Sequence, residues 1–307
     1  MLLGLHSNQQ IEMLKLLKET AKIDRGRYRK KERSFSLDRL VHLPTPNLKK
    51  SIFIIGAPRS GTTFLGESLS SIPEISYHHE PIATKFAARY VYEKKWDFEK
   101  AKSFYRRVYS LLMMQHLDAD LCFAEKTPRN CFLIDFLAWA FPDSQFIHII
   151  RDGRDVALSH SKKPWLQAAQ ATSGKIEPGG YPYGPSPRFW VETGRENEFE
   201  STSDIHRCIW SWRRFTESAL ASISQLPPNR YHELRYESLV NAPSKEAECL
   251  LDFLSINSPQ SRSLFLQAIA QASPSSVGQW QKELSSEQLE KIDLEAGSLL
   301  RQLNYLN

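Results

Sequence analysis

The sequence predicts an α/β fold in which a central parallel sheet is flanked by helices, and three observations carry that expectation. Two largely apolar runs, Ile52-Phe53-Ile54-Ile55 and Gln145-Phe146-Ile147-His148-Ile149-Ile150, lack the alternation of a half-exposed strand and therefore mark strands buried on both faces. Each run stops at a turn signal, Gly56 after the first and Arg151-Asp152-Gly153 after the second, and a helical pattern follows. Weaker strand candidates at 75–78, 121–124 and 231–234 alternate with helical stretches, the order of a doubly wound fold.

Taken in order, residues 8–22 place Ile11, Leu14, Leu17 and Ala21 at helical spacing, and residues 22–33 are strongly basic. Residues 1–50 therefore read as an N-terminal helix and an exposed basic connector, a solvated tail in the plainest reading and a contact for an anionic surface in the sharper one. Residues 51–307 read as one α/β domain, with helices expected at 63–71, 82–92, 98–117, 131–140, 154–160, 204–225 and 245–254. Residues 164–203 break the alternation. There Pro164, Pro178, Gly179, Gly180, Pro182, Gly184, Pro185 and Pro187 lie among Tyr181, Tyr183, Phe189 and Trp190, which predicts an ordered loop or lid on the acceptor side rather than plain disorder.

With 307 residues and 41% hydrophobic content the chain holds enough apolar material for a large core. Its net charge of +5 suits an anionic substrate without demanding nucleic acid. Cys122, Cys131, Cys208 and Cys249 are far apart and form no CxxC pair, so neither a zinc knuckle nor a disulfide framework is indicated, and a reducing, cytoplasmic setting fits best. No uncharged apolar run approaches the ~18 residues a bilayer span needs, so no integral membrane segment is expected.

The segment Gly56-Ala57-Pro58-Arg59-Ser60-Gly61-Thr62-Thr63 joins a buried strand to a helix, so its backbone N–H groups and the helix N-terminus converge on an anion. A Walker A loop reads GxxxxGK[ST], with a lysine that reaches the β and γ phosphates. Here Thr62 stands at the lysine position and the nearest cation is Arg59, which weighs against an ATP or GTP hydrolase. A tight connection without a ligand is the bland alternative; the hydroxyls of Ser60, Thr62 and Thr63 beside Arg59 favour phosphate.

The second strand ends in Arg151-Asp152-Gly153-Arg154-Asp155-Val156-Ala157-Leu158-Ser159, which puts Arg151 at the carboxyl edge of the sheet where open α/β folds bind ligands. An ion pair of Arg151 with Asp152 or Asp155 is the structural alternative to a second phosphate pocket.

These two segments, PRSGTT after one strand and RDGRDVALS after another, resemble the 5′-phosphosulfate and 3′-phosphate motifs of sulfotransferases, most closely the bacterial enzymes and the tyrosylprotein branch. The resemblance spans most of residues 51–283 and implies a P-loop NTPase-like parallel sheet and the donor 3′-phosphoadenosine 5′-phosphosulfate (PAPS; product PAP). It assigns Arg59, Ser60, Gly61, Thr62 and Thr63 to the 5′-phosphosulfate and Arg151 with Ser159 to the 3′-phosphate. Lys163 falls where the tyrosylprotein enzymes carry an arginine near the nucleotide, and Tyr236 lies in an RYE-type segment that hydrogen-bonds it. Residues 275–280 resemble the stretch that closes over the 3′-phosphate but lack the basic residue other branches use there.

Sulfuryl transfer needs a base for the acceptor proton and cations for the charge that builds on the leaving phosphate oxygen, and it needs no metal. Glu80, in His78-His79-Glu80-Pro81, matches the catalytic glutamate of the tyrosylprotein branch, and burial would raise its pKa towards that task. His79 is the rival base, as in the aryl enzymes, and a helix cap is the non-catalytic reading of the same residues. Lys126 resembles the family lysine that stabilises the transition state, with Arg59 sharing the charge; Glu125 points to the opposite face of its strand and is left out. A P-loop kinase and a non-catalytic nucleotide-binding module are the competing functions, and the acceptor (small alcohol or amine, carbohydrate, lipid or peptide tyrosine) has no readable motif.

Overall fold

The structure, a computed structural model, describes residues 46–306. The N-terminal helix and basic connector expected before residue 46 lie outside the described residues. Five parallel strands, β1 Ile52–Ile55, β2 Ile75–His79, β3 Cys122–Lys126, β4 Gln145–Ile150 and β5 Tyr231–Arg235, form one sheet in the order β2-β3-β1-β4-β5. The chain works outward from β1 to β2, returns through β3, then crosses to β4 on the other side. The order therefore reverses beside β1, which opens a crevice at the carboxyl ends of β1 and β4.

Both continuous apolar runs form strands with the expected bounds, and the packing explains why they do not alternate. Phe53 and Ile55 join a core cluster under α2 (Ile82–Tyr92), α3 (Phe98–Gln115) and α7 (Asp204–Ile223), while Ile52 and Ile54 pack beneath α1 (Thr62–Leu69) and α9 (Pro243–Phe253). Every residue of β1 is buried, as a strand covered on both faces requires. The short helix α4 (Ile134–Ala140) begins later than the periodicity predicts, because a 3₁₀ turn at Pro128–Phe132 intervenes; α5 (Gly153–Ser161), α6 (Glu196–Ser201) and α8 (Tyr236–Asn241) complete the middle of the chain. Three C-terminal helices, α10 (Pro259–Ile269), α11 (Trp280–Glu283) and α12 (Ser286–Gln302), have no counterpart in the sequence reading.

Residues 164–203 are ordered, and arginine side chains supply the hydrogen bonds that a sheet or helix would otherwise give. Arg188 is buried and donates to the carbonyls of Trp165 (2.8 Å), Pro182 (3.0 Å), Gly184 (3.1 Å) and Ser186. Arg207, from α7, is fully buried and donates to Leu166, Phe199, Glu200 and Thr202. Each satisfies backbone acceptors that burial would otherwise leave unpaired, at a cost of roughly 1–3 kcal/mol apiece.

Candidate active site

The phosphate loop leaves β1 by passing against the backbone of β4. A Cβ on Gly56 would meet the Ile149 carbonyl oxygen at 2.5 Å, and one on Gly61 would meet the Tyr236 ring at 2.5 Å. Gly61 caps α1 in the left-handed region and no side chain caps the helix, so the first N–H groups face the crevice. The Ser60 hydroxyl is buried with no protein partner, which in a well-satisfied interior points to a ligand.

Arg151 continues from β4 into the same crevice. The acids that might have paired with it are engaged elsewhere: Asp152 caps α5 and grips Arg154, while Asp155 accepts the backbone N–H groups of Gly278 (2.7 Å) and Trp280 (3.0 Å). Arg151 instead stacks 4.4 Å from the Tyr236 ring centre and donates to the carbonyls of Arg59 (3.2 Å) and Ser276, and its buried Nε has no partner. The Tyr236 hydroxyl lies 2.9 Å from the Ser276 hydroxyl, so residues 274–280 form a strap across Arg151. This segment closes through backbone groups pinned by Asp155 rather than through a basic side chain. Arg59 Nε donates to Ser159 Oγ at 3.1 Å, which joins the phosphate loop to the second motif. Burial, and then the nearby Arg151 charge, lower the Arg59 pKa, the signature of two cations facing one another across space that suits an anion. Lys163 follows α5 one turn beyond Ser159, and its backbone N–H bonds His160.

Glu80 and Lys126 meet at the other end of the cavity. Lys126 is the last residue of β3, and Glu80 directly follows β2, with its N–H bonded to the Lys126 carbonyl at 2.9 Å. Lys126 Nζ lies 2.5 Å from Glu80 Oε1, and Lys85 Nζ from α2 lies 2.6 Å from Oε2. The expectation of a raised Glu80 pKa is not met. Burial does push it up, but the charges and hydrogen bonds of Lys85 and Lys126 together outweigh that and hold the carboxyl well below the usual range. His79 Nε2 stands 4.0 Å from Glu80 Oε1. Arg59 (φ 75°) and Glu80 (φ 48°) both adopt the left-handed conformation, which disfavours a side-chain-bearing residue by roughly 1–2 kcal/mol.

The Glu125 side chain turns away from this pair, as alternation along β3 predicts. It is fully buried and accepts from Tyr109, Asn130 (2.7 Å) and Thr127 (3.2 Å). Burial pushes its pKa up to about 7.

A cavity of about 360 Å³ is lined by Arg59, Thr62, Thr63, His79, Glu80, Lys85 and Lys126 together with Trp165, Leu166, Trp190 and Phe215, while Arg151, Ser159, Lys163 and Tyr236 lie outside its lining. Sequence reasoning missed Lys85, Arg129, His160 and Arg188, which also border it. Arg129 binds the carbonyls of Lys85 (2.9 Å) and Gly179 (2.8 Å) and pairs with Glu177 at 2.7 Å. His160 is kept neutral: burial first, then Arg59 and Arg188, lower its pKa to about 3. Away from the cavity, Glu198, His206 and Glu295 approach one another at metal-ligand spacing, but Arg195 and Arg213 already occupy Glu295, which makes the group an ion-pair network.

A parallel sheet whose order reverses beside a crevice carrying Arg59 and Arg151, next to a buried Glu80–Lys126 pair, is the layout of an α/β ligand-binding protein. The model of the sulfotransferase family matches residues 51–180 and 188–260, and the chain belongs to that family. Among solved structures, the sulfotransferase STF9 from Mycobacterium avium shares the fold, with a TM-score of 0.54 at 12% identity over 86% of this chain and 79% of that one. A sulfotransferase domain from the curacin biosynthetic pathway aligns with a TM-score of 0.46 at 18% identity, covering 82% of this chain and 98% of that one. Mouse SULT7A1, solved with PAP, aligns at 0.48 and 15% identity, covering 87% and 90% respectively. Family membership makes sulfuryl transfer the chemistry and sets aside the kinase reading. Among the described residues no helix is long and apolar enough to cross a membrane.

Proposed function

We propose that this enzyme takes its sulfuryl group from PAPS and passes it to a hydroxyl or amine acceptor by in-line displacement, with Glu80 as base. The observation that carries the reading is the Arg59–Ser159 hydrogen bond, which makes one crevice of the two anion motifs while Glu80 and Lys126 border the same cavity as Arg59. The residues fit the donor. Ser60 Oγ and Arg151 Nε are buried polar atoms with no protein partner, and Gly61 leaves room where a Cβ would strike Tyr236.

In this reading Arg59, Ser60, Gly61, Thr62 and Thr63 hold the 5′-phosphosulfate, and Arg151, Ser159, Lys163 and Tyr236 serve the 3′-phosphate end under the 274–280 strap. The acceptor oxygen–sulfur bond forms as the bond from sulfur to the bridging oxygen breaks, and its electron pair leaves on the 5′-phosphate of PAP. Lys126 and Arg59 offset that charge, and Glu80 receives the acceptor proton. Residues 164–203 supply the acceptor wall through Trp165, Leu166 and Trp190, and a cytoplasmic setting completes the proposal.

Titration with adenosine 3′,5′-bisphosphate tests the donor assignment. Wild type binds and Arg151→Ala binds at least about 10-fold more weakly, the loss expected for one charge-assisted phosphate contact; no binding by wild type, or equal binding by both, counts against it. Normal turnover by Glu80→Gln would transfer the base role to His79.

A further inference from the structure

Glu80 is gripped by two lysines, yet the chemistry above asks only one of them to serve the leaving oxygen. Lys126 approaches Oε1 from β3 and is 2% exposed; Lys85 approaches Oε2 from α2 and is 14% exposed, against 15% for Glu80 itself. Their settings differ. Lys126 borders the phosphate loop, whose Arg59 is among the charges that bear on it. Lys85 lies one turn inside α2 and is anchored from three directions. Its N–H bonds the Pro81 carbonyl at 2.9 Å, its own carbonyl accepts from Arg129 at 2.9 Å, and the preceding Thr84 carbonyl accepts from the Tyr105 hydroxyl at 3.1 Å. From that fixed base the side chain reaches back over Pro81 to a carboxylate whose backbone is itself held in the left-handed region.

We propose that Lys85 is a positioning residue: it keeps the Glu80 carboxylate aimed and ionised, so that Lys126 can turn to the donor without the base swinging away or losing its counter-charge. The inference rests on the reading of Glu80 as base. Lys85 borders the cavity, and the role proposed for it is exerted through Glu80. A carboxylate whose only partner departs is left buried and unpaired, a cost of several kcal/mol that protonation or rotation would relieve, and either would disarm it. A second, independently anchored ammonium removes that conflict. The pair of lysines also leaves the site one positive charge in excess, ready for an anionic donor.

The charged and titratable groups that face Glu80 are Lys85 on α2, Lys126 on β3 and His79 on β2, and Glu125 bears on it from the far face of β3. Of these, only Lys85 and Lys126 hold its pKa down, so removal of Lys85 must raise it. The test compares Lys85→Met and Lys85→Arg, with Lys85→Gln as a second uncharged variant should the methionine protein not fold. In the free protein, carbon-13 NMR of labelled glutamate side chains, with the Glu80 signal assigned by its loss in Glu80→Gln, reads the carboxyl directly. We expect the wild-type signal to remain that of a carboxylate to the acid limit of the folded state and the Lys85→Met signal to titrate within it. With PAPS and a working acceptor, Lys85→Met should lose about 100-fold in kcat, the scale of a misplaced catalytic group. The KM for PAPS should hold, an acidic limb should appear in the pH profile, and Lys85→Arg should recover most of the rate. An unshifted Glu80 titration in folded Lys85→Met, or a loss of rate that is independent of pH and not rescued by arginine, overturns the proposal. The parent reading fails separately, if Glu80→Gln turns over like wild type.

Discussion

One carboxylate between two ammonium groups is a poor base in isolation and a well-aimed one in context. Lys85 and Lys126 hold the Glu80 carboxyl well below the usual range, so in the proposed mechanism its value lies in position: it would accept a proton from an acceptor whose O–H is acidified as its bond to sulfur forms. Glu80→Gln is expected to lower kcat by about 10³-fold while PAP affinity changes less than about 3-fold, because the side chain acts on the transition state and not on the nucleotide. Isothermal titration beside steady-state kinetics separates the two effects. Glu125, on the other face of the same strand pair, carries the opposite pH sign. Its folded pKa is raised from 4.5 to about 7, so the native state holds a proton that the unfolded chain has released across that window. Its contribution is full below pH 4.5 and fades as pH rises towards 7, by about 3 kcal/mol in all. Glu125→Gln, which keeps an acceptor for Tyr109 and Asn130, should therefore flatten the denaturant-stability profile between those pH values. A profile as steep as wild type would contradict the burial argument. Arg59 and Arg151 were legible in the sequence because strand ends announce them. Lys85, Arg129 and Arg188 were not, since a lone cation in a helix or loop reads as solvated until its distant partners are known.

Two elements outside the sheet cover the crevice and the cavity, and side-chain-to-backbone hydrogen bonds hold both. The strap over Arg151 hangs on Asp155, whose carboxylate holds the N–H groups of Gly278 and Trp280. Asp155→Asn replaces one acceptor oxygen by a donor and should speed PAP release by about 10-fold, seen in stopped-flow displacement, with little change in association. The loop at 164–203 depends on Arg188, and Arg188→Met leaves the carbonyls of Pro182 and Gly184 without the donor that Arg188 supplies. We expect limited proteolysis to cut that variant within the loop and its KM for the acceptor to rise, while PAP still binds as in wild type. The strands β1 and β4 could be read from the sequence because burial on both faces writes itself as an unbroken apolar run. The strap was legible only through its family resemblance, because it is held largely by backbone groups that any residue type supplies. The helices α10 and α12 were missed for a related reason: each buries a narrow face, Ser261, Phe265 and Ile269 in one and Ile292, Ala296 and Leu299 in the other, amid polar residues.

The parallel sheet brings Arg59, Glu80, Lys126 and Arg151, each at or just past the end of a strand, to its carboxyl side. Because β4 and β1 are neighbours with Ile55 opposite His148, a ligand that spans the phosphate loop and Arg151 cross-links two strands drawn from separate stretches of the chain. Saturation with PAP at 100 times its Kd should therefore stabilise the fold by about 2.7 kcal/mol, a rise of roughly 4 °C in Tm, and Arg151→Ala, at about 10-fold weaker binding, should gain only about half as much at the same concentration. The left-handed backbone at Glu80 carries a different kind of consequence. Glycine adopts that conformation freely, so Glu80→Gly would ease the turn after β2 even as it removes the carboxylate. The Lys126 and Lys85 ammonium groups would then lose their counter-charge, a cost larger than the backbone relief, so it is the pair of ion contacts that holds a side chain in so uncomfortable a place.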